Sequence, residues 1–238
     1  MDTTQTARKD AFVQSRDWPA WTPLVGSDAS GALPVWSLRV PGGTGDEGLI
    51  SEIFNVMEEI LPQSMAEGCY ELGRTISPGD RWVDVGCHVG IFSIAAMMHG
   101  ASISEVMDSD PAMTQAAKWN VENFSRIVEA LQTLPQGSIV PPLATTMLVE
   151  DAYDITEGTT ADCIKLDIQG HEEGVILGGG ASVLATKYKK LLMEWHSPAR
   201  LGTALVALDN AGWHIDTVNS HEDILLNTKT HIIYAKTR

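Results

Sequence analysis

The spacing of hydrophobic and polar positions changes several times along this chain. Across 47–61, Leu49, Ile53, Val56, Met57 and Ile60 share one helical face, with Asp46 placed to cap it and Pro62 to stop it. A second helical stretch follows over 64–76. Pro78 and Gly79 then mark a turn, and from there strand and helix patterns alternate. Strands are predicted over 81–85, 102–107, 162–168 and 188–195, and helices over 91–98, 111–124 and 171–184. Leu201, Ala204, Leu205 and Leu208 form one face of a further helix that Gly212 ends, and strands over 213–218 and 231–236 close the chain. Residues 125–160 have no clear period; Ser138–Val140 begins a strand that Pro141 and Pro142 cut short.

Repeated β-α units imply one α/β domain, a doubly wound, mostly parallel sheet with helices on both faces. Its expected extent is 46–238. Residues 1–45 are expected to form an irregular N-terminal arm, with a short strand over 35–40; Phe12, Trp18 and Trp21 argue against a disordered tail, which is usually poor in aromatic residues.

Charge narrows the partners. Sixteen Lys and Arg against 31 Asp and Glu give a formal net charge of −15. Such a surface repels phosphate backbones and anionic lipid, so neither nucleic acid nor membrane is the expected partner. The three cysteines, Cys69, Cys87 and Cys163, include no C-x-x-C pair, which disfavours a disulfide framework or a zinc knuckle. The first residues carry no apolar core of a secretory signal, and the strongest apolar run, 91–98, is too short to span a bilayer. The expectation is a cytoplasmic protein, with a homodimer as a possible self-association.

Candidate chemistry begins where the 81–85 strand ends. Asp84, Gly86 and Gly90 form D-x-G-x-x-x-G, with Cys87 and His88 inside the turn and a helix after it. Glycines serve where backbone turns sharply or approaches a ligand. In open α/β sheets ligands bind beyond the carboxyl ends of the strands. The pattern departs from the G-x-G-x-x-G of pyrophosphate-binding turns, and no Walker lysine follows. An acid before the first glycine suits a cofactor with a cationic amino group and no phosphate, which fits S-adenosylmethionine better than a nicotinamide dinucleotide. Asp108, followed by Ser109, Asp110 and Pro111, comes about 20 residues past the glycines, where an acid commonly takes ribose hydroxyls. Asp110 is placed to cap the next helix.

Together these segments resemble the FkbM-type S-adenosylmethionine methyltransferases over about 46–236. The resemblance runs through SPGDRWVDVGCHVGIFS, MDSDP, NVENF, CIKLDIQGHEEGVILGGGASVL, LLMEWH and LDNAGWHIDTV. It implies a seven-stranded Rossmann-like sheet with the last strand antiparallel, and O-methylation of a small-molecule acceptor such as a sugar or natural product. Carried over by position, Asp84, Gly86 and Gly90 would hold the methionine end of the cofactor and Asp108 the ribose, with Asp167 beside the reacting centre. Cys87-His88 stands where the family often has Ala-Asn, and Gln169 where it often has Glu.

Methyl transfer to an alcohol needs the nucleophile activated. Asp167, His171, Glu194 and His196 fall at the carboxyl ends of the relevant strands. His196 is the preferred base, because histidine titrates near neutrality, with Asp167 and Glu194 assisting. His171 and Glu172 open a helix and are read as capping or solvated. A metal-free site is preferred, with Mg²⁺ at Asp167, Glu194 and His196 as the variant. The alternatives are an N-methyltransferase and a non-catalytic cofactor-binding module.

Overall fold

Strand registers in the computed structural model set where the functional side chains fall. It describes residues 22–24, 36–38, 70–132, 142–223 and 228–238. Seven strands form one sheet: β3 (Arg81–Val85), β4 (Ser102–Asp108), β5 (Leu143–Thr146), β6 (Cys163–Leu166), β7 (Lys190–Trp195), β8 (Trp213–Asp223) and β9 (Thr228–Thr237), in the order β5-β4-β3-β6-β7-β9-β8. The β3–β4, β3–β6, β4–β5 and β6–β7 pairs are parallel. The last strand, β9, inserts antiparallel between β7 and β8. The doubly wound sheet with an antiparallel last strand is therefore as the sequence predicted. The order reverses between β3 and β6, the position at which such folds place a ligand crevice.

Alternation along the strands sorts side chains to two faces. Trp82, Ile103, Val106, Cys163 and Leu192 pack on one side with Ile91, Ile94 and Ala95 of α2 (Ile91–Met98) and Ala117 and Val121 of α3 (Pro111–Gln132). Val83, Val85, Ile164, Leu166, Leu191 and Met193 pack on the other, with Val175 of α5 (Glu172–Val175), Leu184 of α6 (Ala181–Lys187) and Leu208 of α7 (Leu201–Asn210). Asp84, Lys165 and Glu194 lie at the same parity as Trp82, Cys163 and Leu192, so all three point to the first face. They are buried charges on strands that otherwise carry apolar residues.

Several local expectations change. The helix expected over 171–184 is broken: α5 runs into a wider turn, Ile176–Gly180, before α6 begins, because Gly179 sits at φ 101°, outside helical space. Residues 125–160 contain two unpredicted elements, β5 and α4 (Ala152–Thr156). The predicted strand at 138–140 lies outside the described residues; β5 begins after the two prolines. The arm contributes β2 (Trp36–Leu38), as expected, but β2 pairs antiparallel with an unpredicted β1 (Thr22–Leu24). Of the helix expected over 64–76, α1 (Leu72–Thr75) is described; the helix expected over 47–61 lies outside the described residues.

Candidate active site

The glycine-rich turn leaves β3 and crosses the end of β6. Gly86 adopts φ 74°, and a Cβ there would sit 1.5 Å from the carbonyl oxygen of Asp167. Glycine is thus required by the close approach of two backbones, whatever ligand lies beyond. Gly90 (φ 85°) faces the backbone of Ala117 in α3, where a Cβ would be 3.2 Å from the nearest atom. The turn satisfies its own amides. Gly86 N and Cys87 N both donate to Met107 O at 2.9 Å, and Gly90 N donates to Cys87 O at 2.7 Å. His88 N donates to Asp108 Oδ2 at 2.9 Å. The sequence places Asp84, Gly86 and Gly90 at the methionine end of the cofactor, and in the structure the amides of this turn bond to the turn itself and to β4.

Asp84 is fully buried. Ser93 Oγ donates to its Oδ2 at 2.6 Å, and Lys165 Nζ lies 3.2 Å from Oδ1. Burial raises the Asp84 carboxyl pKa, while Lys165 and Ser93 oppose the rise. Asp108, half-buried at the end of β4, is the acid left facing outward. Its Oδ1 accepts from Asp110 N at 3.0 Å. Each carboxylate oxygen keeps acceptor capacity, which suits two ribose hydroxyls. Asp110 accepts from Ala112 N at 2.7 Å, the helix cap foreseen for it, while Ser109 is exposed. The Cys87 side chain packs into the core, so this residue can offer a ligand only its backbone.

A second group of polar side chains collects where β6 and β7 end. Tyr70 Oη donates to Glu194 Oε2 at 2.7 Å, and Thr230 Oγ1 donates to Glu194 Oε1 at 3.0 Å. His196 Nε2 lies 3.7 Å from Glu194 Oε1 and 3.8 Å from Asp167 Oδ1, too far for hydrogen bonds. Its Nδ1 is 3.2 Å from Glu172 Oε1. Glu172, also fully buried, accepts from Ile168 N at 2.5 Å and Gly170 N at 2.9 Å. Its carboxylate therefore organises the loop after β6 and fixes the histidine ring, rather than solvating a helix end. His171, at the same helix start, is exposed and makes no side-chain cap bond.

Charge sets the protonation of this group. Burial pushes the Glu194 carboxyl up and the charge of Asp167 adds to the effect, to about 7. Burial alone would lower the His196 pKa, but the Glu172 hydrogen bond and the Glu172, Asp167 and Glu194 charges overcome it and raise the value to about 9. At neutral pH the bare imidazole is therefore a cation with no lone pair to offer, which tells against its expected role as the base. Glu194 is the group poised near neutrality. One ligand atom each from Asp167, Glu194 and His196 lies within 4.8 Å of the others, a spacing that a single ion could bridge.

Lys165 joins the two groups. Its Nζ donates to Gly86 O at 2.6 Å and stands 3.2 Å from Asp84 and 3.4 Å from Asp167 Oδ2. Its side chain is 4% exposed, and the two aspartates hold its pKa above the ordinary value despite burial. Lys165 is absent from the residues singled out above, yet a lysine inside the apolar strand CIKL is a readable signal. Glu172 and Tyr70 carried no comparable mark.

Residues 66–141 match the family described as ribosomal protein L11 methyltransferase (PrmA). A ribosomal protein L11 methyltransferase of Bacillus cereus (strain B4264) is 33% identical over 230 residues, covering 89% of this chain and 64% of the relative. That of Bacillus cytotoxicus is 32% identical over 124 residues, 46% of this chain and 36% of the relative. The structure of M. capricolum TrmK in complex with S-adenosylhomocysteine matches with TM-score 0.50 at 12% identity, over 71% of this chain and 66% of that one. The chain spans less than two thirds of the length of the Bacillus cereus relative. Both Bacillus relatives are named for a ribosomal protein, and this overturns the small-molecule acceptor that the sequence suggested. Among the described residues no helix is long and apolar enough to cross a membrane. The chain is a relative of methyltransferases and has the class I methyltransferase fold.

Proposed function

We propose that this chain is an S-adenosylmethionine-dependent methyltransferase of FkbM type that methylates a hydroxyl oxygen on a protein partner. The carrying observation is the Lys165 ammonium, which bonds the glycine turn and pairs with the acid beside the proposed reacting centre. One buried cation thereby sets the spacing between the cofactor turn and the Asp167–Glu194–His196 group. The Bacillus relatives support the methyltransferase activity and the protein acceptor. The net charge of −15 favours a basic protein partner.

S-adenosylmethionine supplies an activated methyl carbon to an in-line nucleophile. Asp108 takes the ribose hydroxyls; Gly86, Cys87, His88, Gly90 and Ser109 line the turn through backbone and short side chains. Asp84 acts behind them, holding Lys165 and Ser93 in place. Asp167, Glu194 and His196 meet the acceptor, and Glu194, held near pH 7, accepts the hydroxyl proton. The His196 cation offsets the negative charge that then collects there.

Two measurements test this reading. Calorimetry should show S-adenosylhomocysteine binding to the wild type. Incubation with radiolabelled S-adenosylmethionine and purified ribosomal protein L11 should label the protein at an alkali-stable, ether-linked site. Absence of S-adenosylhomocysteine binding sinks the cofactor assignment. Labelling at an amine sinks the oxygen assignment alone.

A further inference from the structure

We infer that Asp167, Glu194 and His196 form a binding site for a divalent cation. The inference deepens the proposed methyltransferase reading and rests on it for what the ion does, though not for whether the ion binds.

The two carboxylates alone would make only an acidic cluster. The histidine adds an independent pointer. Its side chain is 6% exposed, and its Nε2 is a buried nitrogen without a hydrogen-bond partner, directed between Asp167 Oδ1 at 3.8 Å and Glu194 Oε1 at 3.7 Å. The other ring nitrogen faces the Glu172 carboxylate at 3.2 Å. A carboxylate acceptor at Nδ1 holds one ring proton there and aims Nε2 outward, where an ion takes the place of the second proton, the arrangement that orients metal-ligating histidines. Glu172 is itself pinned by the Ile168 and Gly170 amides, so the ring has little freedom to turn away.

The spacing also fits. Ligands about 2.1 Å from one ion lie roughly 3–4 Å apart. The two histidine–carboxylate separations fall in that range. Each carboxylate is steadied at the same time. Lys165 Nζ stands at Asp167 Oδ2, on the opposite side of that carboxylate from the oxygen facing His196. Tyr70 and Thr230 hydroxyls position Glu194. Two carboxylate oxygens and one imidazole nitrogen suit an ion of the Mn²⁺ class once small side-chain movements close the observed 3.7 and 3.8 Å separations onto it, with positions left for water and an acceptor oxygen. A hydroxyl coordinated there loses its proton to water more readily, which gives the acceptor a second route to activation beside Glu194.

Mn²⁺ itself is the probe. Full-length protein, stripped with chelator, is titrated with Mn²⁺ while electron paramagnetic resonance follows the free-ion signal. Uptake of one ion per chain is expected. His196→Ala and Glu194→Gln should each weaken it by about a hundredfold, and Glu172→Gln by about tenfold. Asp209→Asn, which alters an exposed carboxylate far from the cluster, should leave it unchanged. No uptake by the wild type at millimolar Mn²⁺, or equal uptake in His196→Ala, overturns the site. Should the ligand variants fail to fold by circular dichroism, anomalous diffraction from Mn²⁺-soaked wild-type crystals decides, with a peak between the three side chains expected and its absence fatal. S-adenosylhomocysteine binding without Mn²⁺ uptake removes the ion and leaves the methyltransferase reading intact. Mn²⁺ uptake without S-adenosylhomocysteine binding does the reverse.

Discussion

The ends of β3 and β4 and the ends of β6 and β7 lie side by side in one sheet, yet they spend their polar groups differently. At β3 and β4 the turn is closed on itself: amides of Gly86, Cys87, His88 and Gly90 all have partners within the turn or on β4. At β6 and β7, Asp167, Glu194 and Glu172 surround one histidine, and the pKa values of Glu194 and His196 are driven up. The first region is built to hold a shape. The second packs several titratable groups of both signs into a buried place, which is what a proton-transfer or ion-binding site requires.

The largest expected effect comes from breaking the contact between the two regions. Gly86→Ala forces a methyl into the Asp167 carbonyl and a side chain into left-handed backbone. Backbone must move, so the expected loss is about 4 kcal/mol or more. Thermal melting should show a drop of roughly 10 °C, with S-adenosylhomocysteine binding and Mn²⁺ uptake lost together. A melt within two degrees of wild type would mean that the turn and β6 are not in contact as described.

Next comes the shared cation. Lys165→Met leaves Asp84 fully buried without its counterion, a change that typically costs about 3–5 kcal/mol. Adding Asp84→Asn should restore much of the stability, because the uncompensated charge goes with it. S-adenosylhomocysteine affinity should stay low in the double variant, since the Gly86 carbonyl has still lost its donor. Recovery of stability and affinity together would reduce Lys165 to a structural ion pair.

A smaller, selective effect is expected on the cofactor side alone. Asp108→Asn keeps the shape but removes the charge that, on the proposed reading, strengthens hydrogen bonds to ribose hydroxyls, worth about 1.5–3 kcal/mol. Calorimetry should show S-adenosylhomocysteine affinity falling roughly 10- to 100-fold, with Mn²⁺ uptake unchanged. Equal losses of both would erase the distinction between the two regions.

The two regions also differed in how legible they were. The β3–β4 side was written locally: D-x-G-x-x-x-G and MDSDP each lie within a few residues, and strand alternation placed them at strand ends. Even there, the sequence could not tell that Gly86 answers to Asp167 or that Asp84 faces inward, because both depend on β6, which lies far along the chain. The β6–β7 side was half legible. Asp167, Glu194 and His196 stood out through their strand-end positions and the family resemblance. Tyr70 bonds Glu194 across 124 positions, and no local pattern marks such a partner. Glu172 looked like a helix-end acid because the fold that buries it is not local. β5 went unseen for another reason: Leu143–Thr146 is an edge strand with no buried residue, so it lacks apolar alternation.

The smallest effect sharpens the contrast through pH. Glu194 is raised from 4.5 to about 7 and His196 from 6.5 to about 9. A raised pKa means that the folded chain binds the proton more tightly than the unfolded one. The resulting stabilisation is complete below the unfolded value and disappears as pH rises through the folded value. For Glu194 the loss spans pH 4.5 to 7, and for His196 it spans pH 6.5 to 9. With chelator present to keep ions out, the melting temperature should therefore decline by a few degrees between pH 6 and pH 9.5. His196→Gln should flatten the upper part of that decline while leaving the part below pH 6.5 in place. Mn²⁺ should act in the opposite sense, stabilising more as pH rises, because proton and ion compete for the same imidazole nitrogen. A melting temperature that climbs from pH 7 to 9 in chelator would show that His196 is not held as a cation, and the surplus negative charge assigned to the β6–β7 end would have to lie elsewhere.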